Sequence, residues 1–424
     1  MKNSEKLAIE GGKPVRTKPF PHVYPGAAVY GAEEIKEALD VIKAQSPFRF
    51  YGKAVPGKTD AFEKLFAEKT GTKYALGVSS GTSALKVALA AIGVGPGDEV
   101  IIPAATFIAS AGAVVMARAV PVLCEVDESL NMDPKDIERR ITPRTKAIMP
   151  VHLMGVAANM KEIMKVARKH KLLVIEDCAQ ASGCSFGGKM VGSFGDIAAF
   201  SLQHNKLITS GEGGVVTTNS KKLFERAIRA HDHGQVRSTH AAFVDASDEF
   251  SFLAENYRMS EICGSLALAQ LRKRDAIVNA QIKFKKELKV KLAALKSDVF
   301  TFRKATDIKG DISVACFLTF KTAEMTKKFM AAMGKEGVCF SQLYGGKGVH
   351  GWSQLREKKT VTSEGCPFKC PLYKGKPDYS IGSMPKTEDL LSRSTMIQIT
   401  PDWTMKEVDD VVTATRKVLS WLNA

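Results

Sequence analysis

Leu172-Leu173-Val174-Ile175-Glu176-Asp177-Cys178-Ala179-Gln180 is the stretch on which the fold turns. Four apolar residues closed by two carboxylates suit a strand buried on both faces, as strands of parallel sheets are. A similar run, Ala147-Ile148-Met149-Pro150-Val151-His152, lies just upstream. Between the two, Met160, Ile163, Met164 and Ala167 fall on one helical face. Strand, helix, strand at this spacing predicts a parallel sheet within an α/β domain. Ligands of open α/β sheets bind beyond the carboxyl ends of the strands. Asp177 therefore stands where a carboxylate can pair with a cationic ring nitrogen, although an Asp there also serves to cap or anchor a loop.

Three further segments share this strand-then-turn grammar. Tyr74-Ala75-Leu76-Gly77-Val78 runs into Ser79-Ser80-Gly81-Thr82-Ser83, where a helix begins at once. Free N–H groups and the dipole at a helix start make an anion site, and Gly81 admits close backbone approach; Ser, Gly and Thr also cap helices for structural reasons alone. Ala198-Ala199-Phe200-Ser201 leads through Gln203, His204, Asn205 and Lys206 to a glycine-rich turn and a second apolar run, Val215-Val216. Most lysines are solvated, but Lys206 is flanked by Leu207 and Ile208, and a desolvated lysine has a lowered pKa and forms Schiff bases. Asn256-Tyr257-Arg258 precedes a helix start at which Ser260 is the expected N-cap.

The rest of the chain sets limits. Its 424 residues are 45% hydrophobic and 25% charged, which excludes a wholly disordered, collagen-like or coiled-coil protein. The net charge of +16 favours anionic partners, yet Lys and Arg are dispersed and no basic tract marks a nucleic-acid face. No apolar leader opens the sequence, and the longest nearly apolar run, Phe107 to Ala117, is too short to span a bilayer. A cytoplasmic enzyme is expected, with no membrane and no nucleic-acid partner. The eight cysteines are scattered and read as reduced, mostly buried thiols. Cys366 and Cys370 lack a second pair at metal-site spacing, so no metal is expected. Three domains are drawn: an extended arm over residues 1–30, with three Gly and four Pro, a large domain over 31–275, and a small α+β domain over 276–424. A lysine-rich helix from Val278 to Lys296 is read as the hinge between the last two.

Order and spacing together say more than any single segment. A phosphate site, an acid after a strand and a lysine some thirty residues later resemble the layout of fold-type I pyridoxal 5′-phosphate (PLP) enzymes. The chain resembles the DegT/DnrJ/EryC1/StrS family of sugar aminotransferases over nearly its whole length. The resemblance begins at Leu7–Arg16 and includes Gly97-Asp98-Glu99-Val100, Pro103–Phe107, Val151–Gly155, Glu176–Gln180, Ser201–Gly214 and Asn256–Glu261. It implies an α/β fold-type I transferase whose large domain has a mostly parallel sheet flanked by helices.

The same resemblance assigns roles. Lys206 matches the Schiff-base lysine that also moves the proton, and Asp177 the acid that pairs with the pyridinium nitrogen. Gln180 matches the partner of the ring hydroxyl, Phe107 the stacking aromatic, Gly81 and Thr82 the phosphate cradle, and Ser201 a further phosphate donor. Asn256 matches a residue reaching the phosphate of the neighbouring subunit, which implies a homodimer with shared active sites. The cofactors implied are PLP and, as the amino-bearing intermediate, pyridoxamine 5′-phosphate. The implied reaction passes an amino group from glutamate or glutamine to a keto or aldehyde sugar, or to a cyclitol.

Two departures are visible. Gln203 stands where the family usually has His, with His204 adjacent, and Ala254 replaces a common glycine. A dehydratase branch carries His in place of the lysine, and Lys206 argues against it. Phe48-Arg49-Phe50-Tyr51-Gly52 and Met384–Arg393 are similar to a branch that includes the 8-amino-3,8-dideoxy-octulosonate and 3-oxo-glucose 6-phosphate aminotransferases, which handle compact anionic sugars. Arg49 and Arg393 are therefore candidate anion grips, with Tyr51 and His204 as further substrate contacts. His231, His233 and His350 are weaker candidates for sugar hydroxyls. The alternatives are a nucleotide-linked acceptor, non-transamination chemistry on the same lysine, and a binding protein that keeps PLP without turnover.

Overall fold

A computed structural model describes residues 6–237, 240, 244–245 and 247–422. Among the described residues nine strands lie in the first two-thirds of the chain: β1 Tyr74–Val78, β2 Glu99–Pro103, β3 Val120–Cys124, β4 Thr145–Ile148, β5 Leu173–Asp177, β6 Ser185–Phe186, β7 Lys189–Met190, β8 Ile197–Ser201 and β9 Gly214–Thr218. Seven form one sheet in the order β1-β9-β8-β5-β4-β2-β3, and β6 and β7 pair separately. Pairing is parallel from β8 to β3, as in Ile175 with Ile197 and Glu99 with Val120. The strand β9 runs antiparallel to both β8 and β1. Six strands thus point one way, and the carboxyl ends of β1, β2, β5 and β8 open on one rim.

Alternation along the strands explains why helices cover both faces. Leu76, Ile175, Ile197 and Ala199 face one apolar cluster, with Leu85 and Leu89 of the helix Gly81–Ala91. Their neighbours Ala75, Ala198 and Phe200 face another, with Phe62 and Phe66 of the helix Lys58–Thr70. Successive side chains of a strand point to opposite faces, so a strand apolar at every position needs cover on both. The helix expected between β4 and β5 is Met160–His170, with Met160, Ile163 and Ala167 buried.

A smaller antiparallel sheet joins β10 Phe300–Phe302, β11 Ala315–Phe320 and β12 Ser394–Gln398. The strand read at Ile312–Phe317 starts later because Ser313 takes a left-handed conformation (φ 64°), which interrupts extended backbone. The lysine-rich helix is the second half of a 33-residue helix, Glu261–Ala293, capped by Ser260, whose Oγ accepts from the Cys263 N–H. Leu268, Leu271 and Ile277 pack beneath the large sheet, whereas Phe284, Leu288 and Leu292 join Phe320, Phe329 and Val411 in the second core. The boundary drawn at residue 275 falls inside this helix, since no proline or interior glycine breaks it there. Val349, Leu355, Tyr379 and Met384 also pack on the large sheet's core, although they lie late in the chain. At the N-terminal end, Leu7 joins the second core and the Ala8 N–H donates to the buried Glu336 at 2.8 Å. Cys124, Cys178, Cys184 and Cys316 are buried, Cys339 is exposed, and all eight cysteines are free thiols. Among the described residues no helix is long and apolar enough to cross a membrane.

Candidate active site

The rim of the large sheet encloses a cavity of about 570 Å³. Its walls include Gly81 and Thr82 after β1, Phe107 after β2, Asp177 and Gln180 at the end of β5, and Ser201 and Lys206 at the end of β8 and just after it. Seven residues spread over 125 positions of sequence converge because parallel strands bring their carboxyl ends to one edge.

At the β1 end the chain turns directly into a helix. Ser80 is the N-cap, its Oγ accepting from the Ser83 N–H at 3.0 Å. The Gly81 and Thr82 N–H groups have no acceptor among the described residues, as expected for a first helical turn. A Cβ at Gly81 would lie 2.6 Å from Ser201 Cβ, so only glycine lets this turn close on β8. Two donors, the positive end of a helix and the buried Ser201 thereby face one point, which suits a phosphate ester.

Asp177 is buried at the far side. Its Oδ2 accepts from Ser110 Oγ at 2.8 Å and its Oδ1 from the Ala179 N–H at 3.1 Å. Ser110 is in turn bonded to Thr106 Oγ1 at 2.7 Å. Burial pushes the carboxyl up from its usual range, against the pull of these donors and of the Lys206 charge. Burial likewise holds the Lys206 amine below the ordinary lysine range, with Asp177 opposing. No hydrogen bond or ion pair engages the Lys206 amine among the described residues. Its backbone is held firmly, the N–H donating to Gln203 O at 2.8 Å and the carbonyl accepting from the Gly26 N–H at 3.3 Å. The N-terminal arm thus helps to form the mouth, where Val23 and Pro25 also line the wall.

Gln180 is oriented from two directions. Its Oε1 accepts from the Met154 N–H at 3.0 Å and its Nε2 donates to Tyr344 Oη at 2.8 Å. Met154 and Tyr344 both take left-handed backbone (φ 49° and 50°), which is unfavourable for such side chains and typical of functional sites. Phe107 is half exposed, its ring 6.2 Å from that of Tyr344 and 5.8 Å from that of Trp352.

Glu176 is an anchor rather than a site residue. Its oxygens accept from the N–H groups of Gly192, Phe194 and Gly195 at 2.7–2.9 Å and from His152 Nε2 at 3.1 Å. The Ala158 N–H donates to His152 Nδ1, which leaves the imidazole proton on Nε2. His152, Glu176 and Cys178 place ligand-type atoms within 4.8 Å of one another, but the carboxylate is already fully engaged.

The chain belongs to the DegT/DnrJ/EryC1/StrS aminotransferase family.

The match to this aminotransferase family covers residues 30–416. GDP-perosamine synthase of Caulobacter vibrioides is 46% identical over 50% of this chain and 56% of its own length. L-glutamine:2-deoxy-scyllo-inosose aminotransferase of Streptomyces lividus is 36% identical over 64% of this chain and 65% of its own length. The chain therefore aligns with only part of the length of these curated relatives. The crystal structure of 3-amino-5-hydroxybenzoic acid synthase superposes with a TM-score of 0.78 at 26% identity, covering 96% of this chain and 100% of that one. The fold is that of fold-type I enzymes, as the sequence resemblance implied.

The structure places none of the expected substrate contacts in the lining of this cavity. The Arg49 side chain is wholly shielded, with Nη1 and Nη2 bound at 2.7 Å to both oxygens of Glu63 and Nη2 at 2.8 Å to Asp60. Arg393 is spent likewise, on Asp389 four residues back and on Phe320 O. Tyr51 is exposed and packs on Phe48, outside this cavity. His204 is exposed against Tyr24, and the adjacent Gln203 and Asn205 line the cavity in its place. His231 is buried on the Ile228 carbonyl, His350 is bonded to Glu388, and His233 is exposed. Asn256 is exposed, outside the lining of its own chain's cavity, with its Oδ1 accepting from the Arg258 N–H.

Sequence reasoning missed Ser110 and Tyr344. Ser110 carries a signal, since Thr106 and Ser110 are four apart across a helix start. Tyr344 carries none, because its approach to Gln180 spans 164 residues.

Proposed function

We propose that this chain is a PLP-dependent aminotransferase that moves an amino group from glutamate or glutamine to a keto or aldehyde sugar, or to a cyclitol. One observation carries the reading: a desolvated Lys206, without a partner among the described residues, and a buried Asp177 share a cavity whose other end is a helix N-terminus closed by Gly81. That donor set fits PLP part by part. Gly81, Thr82 and Ser201 suit its phosphate, Asp177 its ring nitrogen, Gln180 its ring hydroxyl, and Phe107 one face of its ring. When bound, PLP supplies an electron sink beside the donor's α-carbon.

The chain's own residues do the rest. Burial leaves a larger share of the Lys206 amine unprotonated at neutral pH, hence nucleophilic and able to accept a proton. The same amine returns that proton as an acid later in turnover. Ser110 and the Ala179 N–H favour ionised Asp177 against the burial that opposes it, and a cation beside Asp177 would complete the compensation. Tyr344 and Met154 keep the Gln180 amide pointed into the site.

The narrower expectation of a compact anionic sugar loses Arg49 and Arg393 as support. A nucleotide-linked acceptor has support in the name of the 46% identical relative, and a cyclitol in that of the 36% identical one. The reading includes a cytoplasmic homodimer in which Asn256 serves the neighbouring subunit's site. The exposure of Asn256, Tyr51, Phe250 and Leu253 favours such a contact.

The test is the absorption spectrum of purified protein before and after L-glutamate or L-glutamine. A cofactor band that falls with donor and returns with keto sugar or inosose is the expected result. A band indifferent to every donor would favour other PLP chemistry, and no band after PLP is supplied would overturn the cofactor assignment. Lys206→Ala is expected to abolish transamination.

A further inference from the structure

The lysine-rich run Val278–Lys296 takes no part in the cavity just described. Its Lys285 and Lys289 lie four residues apart, hence on one helix face, and both line a second cavity of about 280 Å³. Arg303 and Lys304, which follow β10, line it as well, with Phe317 in its apolar wall. Asp311 is the carboxylate of the lining among the described residues, and it accepts from Lys285 Nζ at 2.5 Å and from the Ser313 N–H at 2.7 Å. Lys289 and Lys304 have no ion-pair partner among the described residues.

Arg303 is the unusual member. Its Nε donates to Ser129 O at 2.5 Å, and its guanidinium carbon stands 5.1 Å from the centre of the Phe317 ring. Both terminal nitrogens are shielded from solvent and lack an acceptor among the described residues. Desolvation is strong enough to push the guanidinium pKa down to about 10. An unpaired buried guanidinium is costly, and a bound anion offsets that cost.

We propose that this second cavity binds a small phosphate-bearing anion, with Lys289 and Lys304 as its direct contacts and Lys285 and the shielded Arg303 guanidinium as surrounding charge. Three positive charges remain after Asp311 is subtracted, which favours a multiply charged anion over a monocarboxylate. The volume corresponds to roughly nine waters at about 30 Å³ each, room for pyrophosphate or a sugar phosphate but not for a peptide. Among the described residues none lines both cavities, although Val314 lines the first and Ala315 the second. The site therefore stands apart from the PLP reading and does not rest on it.

Inorganic pyrophosphate is the probe, titrated by calorimetry into the full chain already loaded with PLP, so that the catalytic cradle holds the cofactor's own phosphate. One saturable site is expected, weakened by added salt. Lys289→Gln and Lys304→Gln should each weaken it about three- to tenfold. Neither lysine is in an ion pair among the described residues, and Lys289 stands only against the Phe302 ring at 5.0 Å, so these variants should fold as the parent does; Arg303→Met should weaken binding if it folds. Absence of saturable heat up to about 10 mM would mean a water-filled cavity and overturn the proposal. Binding untouched by both lysine variants, or seen only without PLP, would place the anion elsewhere and overturn it equally. Should PLP not load at all, the lysine variants still decide the question on the protein as purified.

Discussion

Replacing Arg49 by Met separates a structural role from a substrate role. The guanidinium is wholly shielded and makes three charge-assisted hydrogen bonds, two to Glu63 at 2.7 Å and one to Asp60 at 2.8 Å. Asp60 is half exposed, so water replaces most of what it loses, and its share is about 0–1 kcal/mol. Glu63 is only 12% exposed, and without Arg49 it keeps a single described donor, the Gly77 N–H at 2.6 Å. Stranding one member of a buried pair costs about 3–5 kcal/mol. Methionine fills most of the arginine stem's volume, so a cavity adds little. Denaturant titration should show that loss, and Glu63→Gln in the Arg49→Met background should recover part of it, because the stranded charge is removed. The KM for the sugar acceptor of the folded variant should stay at the parent value. Parental stability combined with a raised acceptor KM would refute this account and return Arg49 to the substrate.

Gly81→Ala sets a Cβ 2.6 Å from Ser201 Cβ, so the cradle must open; PLP retention after dialysis, read by absorbance, should weaken about tenfold or more. Ser110→Ala removes a donor to ionised Asp177; a hydrogen bond to a charged group contributes about 1.5–3 kcal/mol, so the acid limb of kcat/KM should move up by about one to two pH units, with Ser110→Thr restoring it. His231 is pushed down to about 3 by burial first and the Arg49 charge second, and His240 down to about 4, again chiefly by burial. Both are neutral in the folded state and protonate near 6.5 when unfolded, so the unfolded chain binds more protons between those values. Stability should be full above about pH 6.5 and fall as pH drops towards 4 and 3, and denaturation midpoints of His231→Gln should show a shallower acid limb.

How much was legible beforehand depends on the distance over which each feature is determined. Strands, turns and the helix Met160–His170 follow from apolar period and from Gly, Ser and Pro within a few residues. For that reason β5, its terminal Asp177 and the start at Gly81 could be read directly. The ordered motifs also point to the family, because the turn at Gly81, Asp177 and Lys206 stand at or just after the carboxyl ends of β1, β5 and β8 in one sheet. The boundary expected at residue 275 falls inside the long helix, whose apolar face changes partners midway, from the large sheet's core to the second one, while its backbone stays regular.

What the sequence determined by itself was the class of fold and the rim on which Lys206 and Asp177 stand. What only the tertiary structure decided was the fate of groups whose partners lie far along the chain. Arg49 is bound by Glu63 and Asp60; the terminal nitrogens of Arg303 are shielded without an acceptor among the described residues; Tyr344, part of no motif, orients Gln180. Local pattern reflects the backbone's own preferences and the side of an element that must be buried. The charge balance of a side chain depends on which distant carboxylates, carbonyls and rings are packed around it, and only the folded chain brings those together.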